Sequence, residues 1–471
     1  MKLKSFGAVE GVTGSCHMLE VGDKRVLLDC GMFQGSRDDD EENRGLGFDP
    51  KTLDAVIVSH AHLDHIGRLP ILFKQGFRGP IYSTRATYDL AKISLLDSAR
   101  LQEFEVARAN RKRPKGTPPK QPIYDDQDVL DLLDLWDRWV KYEEPVDIFK
   151  GVKAKFSEAG HILGSAFLTM DLEENDKACK FIFSGDLGNV GKPIIHDPST
   201  PGPADVVLME STYGDRNHRP FTESIDELLG AIEETFKRGG NVVIPTFALE
   251  RAQELLYVLY EAWRDGKLAE DATIYLDSPM AISATRVFER YPDLYDSEAM
   301  DLHNQGETPF DFPALRYTRE TRDSMSINEH RSKAIILAGS GMANGGRVIH
   351  HLRHNLYREE CSVIFCGFQA RGTLGRKIVD GADFVHIHGH TVPIAAQVYT
   401  INGFSAHAGQ EEMTQWANAT DAKKILLVHG EEDVKERFRH YLLRKVATNN
   451  VDIMPAHKAI DLTEWARSIS R

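Results

Sequence analysis

The sequence predicts an α/β protein in which one domain is interrupted by another. Three observations carry that expectation. The first eighty-odd residues read as short apolar strands separated by turn chemistry, clearest at 15–21, 25–29 and 55–59. After about residue 214 the style changes, and apolar strands end in small or polar residues that lead straight into helices. From about residue 396 the earlier style returns, at 397–401 and 424–428.

Taken in order, residues 65–75 look helical, and the acidic run 38–42 before them is expected to be a solvated loop. A helical pattern fills 86–110. The basic stretch 111–120 follows, without an acidic residue; a mobile, solvated loop is the expectation and contact with RNA phosphates the alternative. Val129, Leu130, Leu133, Trp136 and Val140 recur at helical spacing and predict a second helix. Strand patterns occupy 152–183, and a Pro-rich connector at 192–204 leads to the apolar strand 206–209. Four strand-to-helix units come next, with strands at 241–245, 273–277, 334–339 and 362–367. That grammar implies a parallel sheet, whose ligands gather at the carboxyl edge of the strands.

At 471 residues the chain is too long for one simple core. Its hydrophobic fraction of 41% suffices to fill real cores. No apolar run approaches the ~18 residues of a membrane span, and the start M-K-L-K-S-F-G-A-V-E has no signal-peptide core, so a cytoplasmic protein is expected. Cys16, Cys30, Cys179, Cys361 and Cys366 form no C-x-x-C pair and are expected to be buried free thiols. The formal charge of −14 argues against coating nucleic acid through the overall field, but a local basic groove with metal ions still grips a polyanion.

The chemistry concentrates in V-S-H-A-H-L-D-H. His60, His62, Asp64 and His65 fall within six residues, directly after the apolar run 55–58. Neutral imidazole nitrogens and carboxylate oxygens suit a borderline metal such as zinc. Two histidines two apart hold one ion, while the Asp-His pair just beyond reaches a second. Further ligand types stand at strand ends beside glycines: Gly160-His161, Gly185-Asp186 and His429-Gly430. A carboxylate such as Asp186 can bridge two cations. Asp29, at the end of the strand 25–29, is a candidate acceptor that orients a ligating imidazole.

In this order Asp29, H-A-H-L-D-H, His161, Asp186 and His429 resemble the successive motifs of the metallo-β-lactamase fold. Glu210 in E-S-T-Y-G-D, His407 in G-F-S-A-H-A-G and His429 in L-V-H-G-E-E resemble the three further motifs of the β-CASP nucleases. The resemblance covers nearly the whole chain and is closest to compact bacterial β-CASP ribonucleases. It implies an αβ/βα metallo-β-lactamase sandwich with an inserted parallel α/β β-CASP domain. Residues 1–208 and 396–471 would build the first and 209–395 the second, with two zinc ions in the cleft between them. Carried over, His60, His62 and His161 bind one zinc, Asp64, His65 and His429 the other, and Asp186 bridges. Asp29, Asp64, Glu210 and His407 make up the implied catalytic set, with His407, held by Glu210, as general acid. The implied reaction is hydrolysis of RNA by metal-activated hydroxide, leaving a 5′-phosphate and a 3′-hydroxyl, endonucleolytic with a 5′–3′ exonucleolytic mode open.

Histidine at 429, where the DNA-repair branch of the family usually has valine, favours single-stranded RNA as partner. Ser340 and Gly341 in the glycine-rich loop 339–346, Arg371 and Ser405 are candidate phosphate contacts. His386, His388 and His390 would share one face if extended, but no Asp, Glu or Cys stands beside them, and a surface edge is expected rather than a metal site. The archaeal members' N-terminal KH extensions and the extra C-terminal domain of RNase J are expected to be lacking, which leaves a homodimer open. The competing functions are a β-CASP nuclease acting on DNA, a small-molecule metallo-hydrolase and a non-catalytic scaffold. The long insert after residue 210 argues against the second, and the complete ligand set against the third.

Overall fold

The computed structural model of the chain describes residues 1–35, 39–114 and 116–468. They divide into a first unit of residues 1–190, 197–217 and 407–471, and a second of 191–196 and 218–406. Asp38 and Lys115, from the acidic run and the basic loop, lie outside the described residues.

Among the described residues the first unit holds two sheets. One runs Ile460–Asp461, Lys2–Gly7, Cys16–Val21, Lys24–Leu28, Ala55–Ile57, Ile81–Thr84, Arg138–Val140. It is antiparallel up to Lys24–Leu28 and parallel beyond. The other runs Val451–Ile453, Lys424–Leu427, Val206–Met209, Lys177–Phe183, Ala166–Glu174, Val152–Glu158, Pro145–Phe149. Here the first four strands are parallel and the rest an antiparallel meander.

Strand alternation decides what each face covers. Phe181, Phe183, Leu208 and Leu426 point into one buried cluster with Leu3, Leu19, Val26, Leu28 and Ile57 of the other sheet. Their neighbours Ile182, Val207, Met209, Ile425 and Leu427 point the other way, onto Met413 and Trp416 of the helix Gln410–Ala419 and Phe438 and Leu442 of Glu432–Leu442. Two sheets face to face with helices outside are the αβ/βα sandwich.

Three local expectations need correction. Most of the acidic run, expected as a loop, lies in the short helix Asp39–Arg44, where consecutive acidic residues are compatible with a solvated helical turn. Residues 65–75 are not one helix but two, Leu63–Ile66 and Leu69–Lys74. Pro70 offers no N–H to continue a helix from the preceding turn, so a new one starts around it. The second predicted helix stops at Leu135; Trp136 closes it, and Arg138–Val140 pairs as a strand with Ile81–Thr84. The Trp136 indole donates to Ser83 Oγ at 2.9 Å, a tertiary contact that overrides the helical spacing.

The second unit carries a six-stranded parallel sheet among the described residues, in the order Leu315–Tyr317, Thr273–Asp277, Ala334–Ala338, Val242–Pro245, Ser362–Phe365, Gln397–Thr400. Val243, Ile336, Val363 and Phe365 pack under Val348, Leu352, Leu356 and Ile378 of the covering helices. The stretch 397–401 resembles the opening strands in style, but it extends this sheet beside Ser362–Phe365. His386 and His390 lie in the hairpin of Phe384–Ile387 and His390–Pro393, while His388 turns the corner at φ +49°. All three are exposed, as a surface edge requires. No helix among the described residues is long and apolar enough to cross a membrane. All five cysteines are buried and unbridged.

Candidate metal centre

The predicted ligands converge in the first unit because the loops that carry them are woven together by backbone. Ser15 N–H donates to Asp64 O at 2.8 Å, Gly31 N–H to Ser15 O at 2.7 Å, and Cys30 N–H to His65 O at 2.8 Å. Gly31 has to be glycine, since a Cβ there would sit 1.5 Å from Asp64 O. The 161 loop is held in the same way: Gly188 N–H donates to Ala159 O at 2.8 Å, and a Cβ on Gly188 would lie 1.6 Å from Gly160 O. His429 takes a left-handed backbone, φ +51°, and its N–H reaches Ala8 O at 2.7 Å.

Three groups of ligand atoms result, each with all its atoms within 4.8 Å of one another. One is His60, His62, His161 and Asp186; the next is Asp64, His65 and His429; the last is Asp186, Glu210 and His407. Within the first, His62 Nδ1 lies 3.1 Å from both His60 Nε2 and His161 Nε2. Within the next, His65 Nε2 lies 3.2 Å from His429 Nε2, and Asp64 Oδ2 is 3.5 Å from that same nitrogen.

These separations fit a metal. Ligand nitrogens at ~2.0–2.1 Å from a tetrahedral ion are about 3.3 Å apart. Asp186 divides its carboxylate between the groups. Its Oδ2 lies 3.5 Å from His60 Nε2 and 3.6 Å from His161 Nε2, its Oδ1 3.2 Å from His65 Nε2 and 3.6 Å from His429 Nδ1. Buried Oδ1 has no hydrogen-bond partner among the described residues, an expensive arrangement for an anion unless a cation meets it.

The protonation states point the same way. Burial, then the neighbouring His65, holds the His60 imidazole well below its usual range, and burial brings His62 down to about 4. Burial would raise the Asp64 and Asp186 carboxyls, but the surrounding histidines outweigh it, putting Asp64 at about 2 and Asp186 well below the carboxylate range. Neutral imidazole and ionised carboxylate are the forms that bind metals. His65 goes the other way: burial lowers it, but Asp186 and Asp29 outweigh that and raise it well above the imidazole range.

Around the ligands sits a supporting layer. Asp29, itself at φ +57°, places Oδ2 2.7 Å from His65 Nδ1 and accepts from Ser59 N–H and Ser59 Oγ, both at 2.8 Å. Glu210 Oε1 accepts from Leu187 N–H at 2.7 Å and lies 3.2 Å from His407 Nδ1. Burial pulls His407 down, but Glu210, then Asp186 and Asp64, raise it to about 9.

Some of this layer was not singled out from the sequence. Ser59 touches both Asp29 and His60 Nδ1, the latter at 3.1 Å. Thr212 Oγ1 stands 3.0 Å from His429 Nδ1. Glu158 accepts from Gly160 N–H at 2.8 Å, and burial pushes its carboxyl up to about 8. His17, bracketed by Ser5 and Ser15 at 2.7 and 3.3 Å, is pulled by burial to about 3. Only the place of Ser59 beside His60 and of Thr212 two residues after Glu210 could have pointed to them.

The four substrate candidates lie in the second unit. Ser340 and Gly341 follow Ala334–Ala338, and Gln369 Nε2 donates to Gly341 O at 3.1 Å. Arg371 is exposed just ahead of the helix Leu374–Val379, and Ser405 is buried.

Comparison with known families now bears on this arrangement. Residues 9–147 match the metallo-beta-lactamase superfamily, 252–378 the Beta-Casp domain, and 391–455 the Zn-dependent metallo-hydrolase RNA specificity domain. Ribonuclease TTHA0252 of Thermus thermophilus is 43% identical over 436 residues, 92% of this chain and 94% of its own length. The chain belongs to the β-CASP metallo-β-lactamase family. Transcription termination factor FttA of Methanocaldococcus jannaschii is 34% identical over 449 residues, covering 92% of this chain and 67% of FttA. An RNase J-like protein of the same organism is 32% identical over 434 residues, 91% of this chain and 92% of its own. A crystal structure of a protein of unknown function from Enterococcus faecalis V583 superposes with a TM-score of 0.55 at 12% identity, covering 98% of this chain and 99% of that one; it speaks to the fold alone. The β-CASP insertion into a metallo-β-lactamase fold is thereby established.

Proposed function

We propose that this chain, a metal-dependent ribonuclease by family, hydrolyses phosphodiester bonds of single-stranded RNA at a pair of zinc ions, leaving a 5′-phosphate and a 3′-hydroxyl. His60, His62 and His161 would hold one ion and Asp64, His65 and His429 the other, with the Asp186 carboxylate facing both groups. The observation that carries this reading is the Asp186 carboxylate, whose two oxygens face two different histidine groups. When bound, such a pair makes a neighbouring water acidic and neutralises charge growing on the phosphate.

The chain's own residues do the rest. Asp29 anchors His65 Nδ1, so the ring keeps Nε2 toward His429 Nε2 and Asp186 Oδ1, where it would be free to bind an ion. Glu210 fixes His407 through Nδ1 and favours its charged form, so Nε2 is the nitrogen from which the departing 3′ oxygen takes a proton. Ser340, Gly341, Arg371 and Ser405 contact substrate phosphates. Internal cleavage and 5′–3′ trimming are both open to this chemistry, and the products formed tell them apart.

The deciding experiment incubates zinc-loaded protein with 5′-labelled RNA and the matching single-stranded DNA. A ladder of RNA products is expected. Mononucleotides alone make the enzyme an exonuclease, and preferential cutting of DNA overturns the substrate assignment.

A further inference from the structure

The helix Arg85–Arg111 is 27 residues long, about 40 Å at ~1.5 Å per residue. Its two ends live in different surroundings. At the root, Thr84 Oγ1 and Thr87 Oγ1 both donate to Gly164 O, at 2.7 and 2.8 Å, tying the helix to the loop that carries His161. Leu90, Ala91, Leu95 and Ala99 are buried along this half. Past Ser98 and Ala99 the burial ends, and Leu101 and Phe104 are 55% and 67% exposed.

The outer half has a definite pattern. Leu101, Phe104, Arg108 and Arg111 follow one another at helical spacing, so an exposed aromatic ring and two guanidinium groups share one stripe, with Lys112 at its tip. Arg100 and Glu105 border it, and Arg100 is paired with Asp126 at 3.1 Å. From residue 106 to 124 the sequence holds Arg108, Arg111, Lys112, Arg113, Lys115 and Lys120 and no acidic residue, in a chain whose net charge is −14. Arg108, Arg111 and Lys112 enter no ion pair among the described residues.

Nor does the return of the chain swing freely. Lys120 N–H donates to Asn110 Oδ1 at 2.9 Å and Asn110 Nδ2 to Lys120 O at 3.0 Å. Ile123 N–H reaches Gln102 Oε1 at 3.0 Å, and the Tyr124 hydroxyl reaches Ser98 Oγ at 2.9 Å. Pro118, Pro119 and Pro122 restrict the backbone of the described stretch 116–122. Arg108, Arg111 and Lys112 are therefore presented at the end of a braced helical arm.

We propose that the outer half of this helix, from Leu101 to its C-cap Lys112, forms an anchor for an RNA strand, its tip ~40 Å along the helix from the His161 loop. The inference rests on the ribonuclease reading for its choice of polyanion. A row of unpaired cations beside an exposed aromatic ring is the chemistry that grips phosphates and stacks a base without reading sequence. A second copy of the chain fits less well, because it would bring the same positive charge to the same face. At the ~3.4 Å per nucleotide of a stacked strand, the arm's length corresponds to about a dozen nucleotides. Long RNA reaches both the arm's tip and the metal centre, and short RNA does not.

The test compares wild type with the triple variant Arg108→Glu, Arg111→Glu, Lys112→Glu as zinc-loaded full-length protein. Binding of phosphorothioate RNAs of about thirty and about five nucleotides is measured by anisotropy across a KCl series. The variant should bind the long RNA tenfold or more weakly, on the order expected for lost phosphate contacts, with the slope of log Kd against log salt lower by about 2. The short RNA should bind within about twofold of wild type. Phe104→Ala alone should weaken long-RNA binding on the order of tenfold. Unchanged affinity and slope on the long RNA, or equal losses at both lengths, overturns the anchor. A changed oligomeric state in light scattering with RNA affinity intact makes the face a self-association surface and overturns it too. A wild-type protein that cuts no RNA but still shows the length-dependent contrast refutes the ribonuclease reading and leaves the anchor standing.

Discussion

Asp29→Asn separates hydrogen bonding from everything else at the centre. Asparagine tolerates the left-handed backbone that Asp29 adopts at φ +57°, and it matches the carboxylate in shape. Its oxygen can keep the bond from Ser59 N–H at 2.8 Å. Its amide nitrogen then replaces Oδ2, which faces His65 Nδ1 at 2.7 Å, Ser59 Oγ at 2.8 Å and Ser15 Oγ at 3.3 Å. The hydroxyls can rotate and accept; the imidazole can accept only by moving its proton to Nε2. That nitrogen is the one 3.2 Å from both His429 Nε2 and Asp186 Oδ1, where a protonated nitrogen cannot bind a cation. Loss of such an orienting partner weakens metal binding about 10–100-fold, or ~1.4–2.8 kcal/mol. In chelator, the buried charge-assisted bonds should cost a further ~1–3 kcal/mol of stability. Zinc competition with a chromophoric chelator reads the first quantity and urea unfolding the second. Ser15→Ala, which removes the longest of the bonds to Asp29 together with the 3.3 Å contact to His17 Nε2, should stay within about 1 kcal/mol of wild type. Wild-type zinc affinity for both ions in Asp29→Asn would refute the tautomer argument outright.

Three other outcomes follow from the same geometry. His407→Ala should lose most turnover on RNA yet keep its zinc, whereas Asp186→Ala should lose metal; equal zinc content in the two variants removes the division of labour. Gly31→Ala drives a Cβ to 1.5 Å from Asp64 O, backbone against side chain with no flexible group to yield, and should cost ~1–3 kcal/mol or more together with metal at the Asp64, His65, His429 group. Glu158 has its carboxyl raised from 4.5 to about 8 by burial. Over that window the native state holds the proton that the unfolded chain has released, so this group's contribution is present below about pH 4.5 and is lost as pH rises toward 8. Glu158→Gln should flatten that part of the urea-midpoint profile between pH 5 and 8, and an unaltered slope would show that the carboxyl ionises as it does in water.

The candidate metal ligands were legible because metal coordination admits few residue types and β-strand ends are where a chain can converge them. His60 to His65, His161, Asp186 and His429 each follow an apolar run, most of them beside a glycine. Ser59, Thr212 and Glu158 were not legible, since serine, threonine and glutamate are everywhere and their meaning arises only from what the fold sets beside them. Glu158 becomes part of the His161 loop through a single bond to Gly160 N–H. The helix over Trp136 and Val140 failed for a related reason. Helical spacing records which residues are apolar, and an indole that finds Ser83 Oγ is apolar in the count but belongs to a strand's neighbourhood in space. The strand Gln397–Thr400 shows the same limit, because alternation gives a strand without giving its sheet.

Charge is where the site and the whole protein part company. The proposed ligand set is mostly imidazole, with Asp64 and Asp186 its only carboxylates. Two divalent cations held there outweigh two carboxylates, and the surplus is positive at the point where a phosphodiester would sit. A chain of net charge −14 therefore need not repel RNA, since field inside about one Debye length decides the encounter and everything beyond ~8–10 Å is screened. The same reasoning sets the order of events on a long strand. Stripped of metal, the centre loses the divalent charge that would draw a phosphate, while Arg108, Arg111 and Lys112 of the arm stand apart from the ligand groups and do not depend on the metal. Metal-free protein should then still bind long RNA, salt-sensitively, and lose short RNA altogether; zinc should restore the short oligomer and change the long one's salt slope little. If chelation abolishes binding at both lengths alike, the cations at the arm contribute nothing on their own.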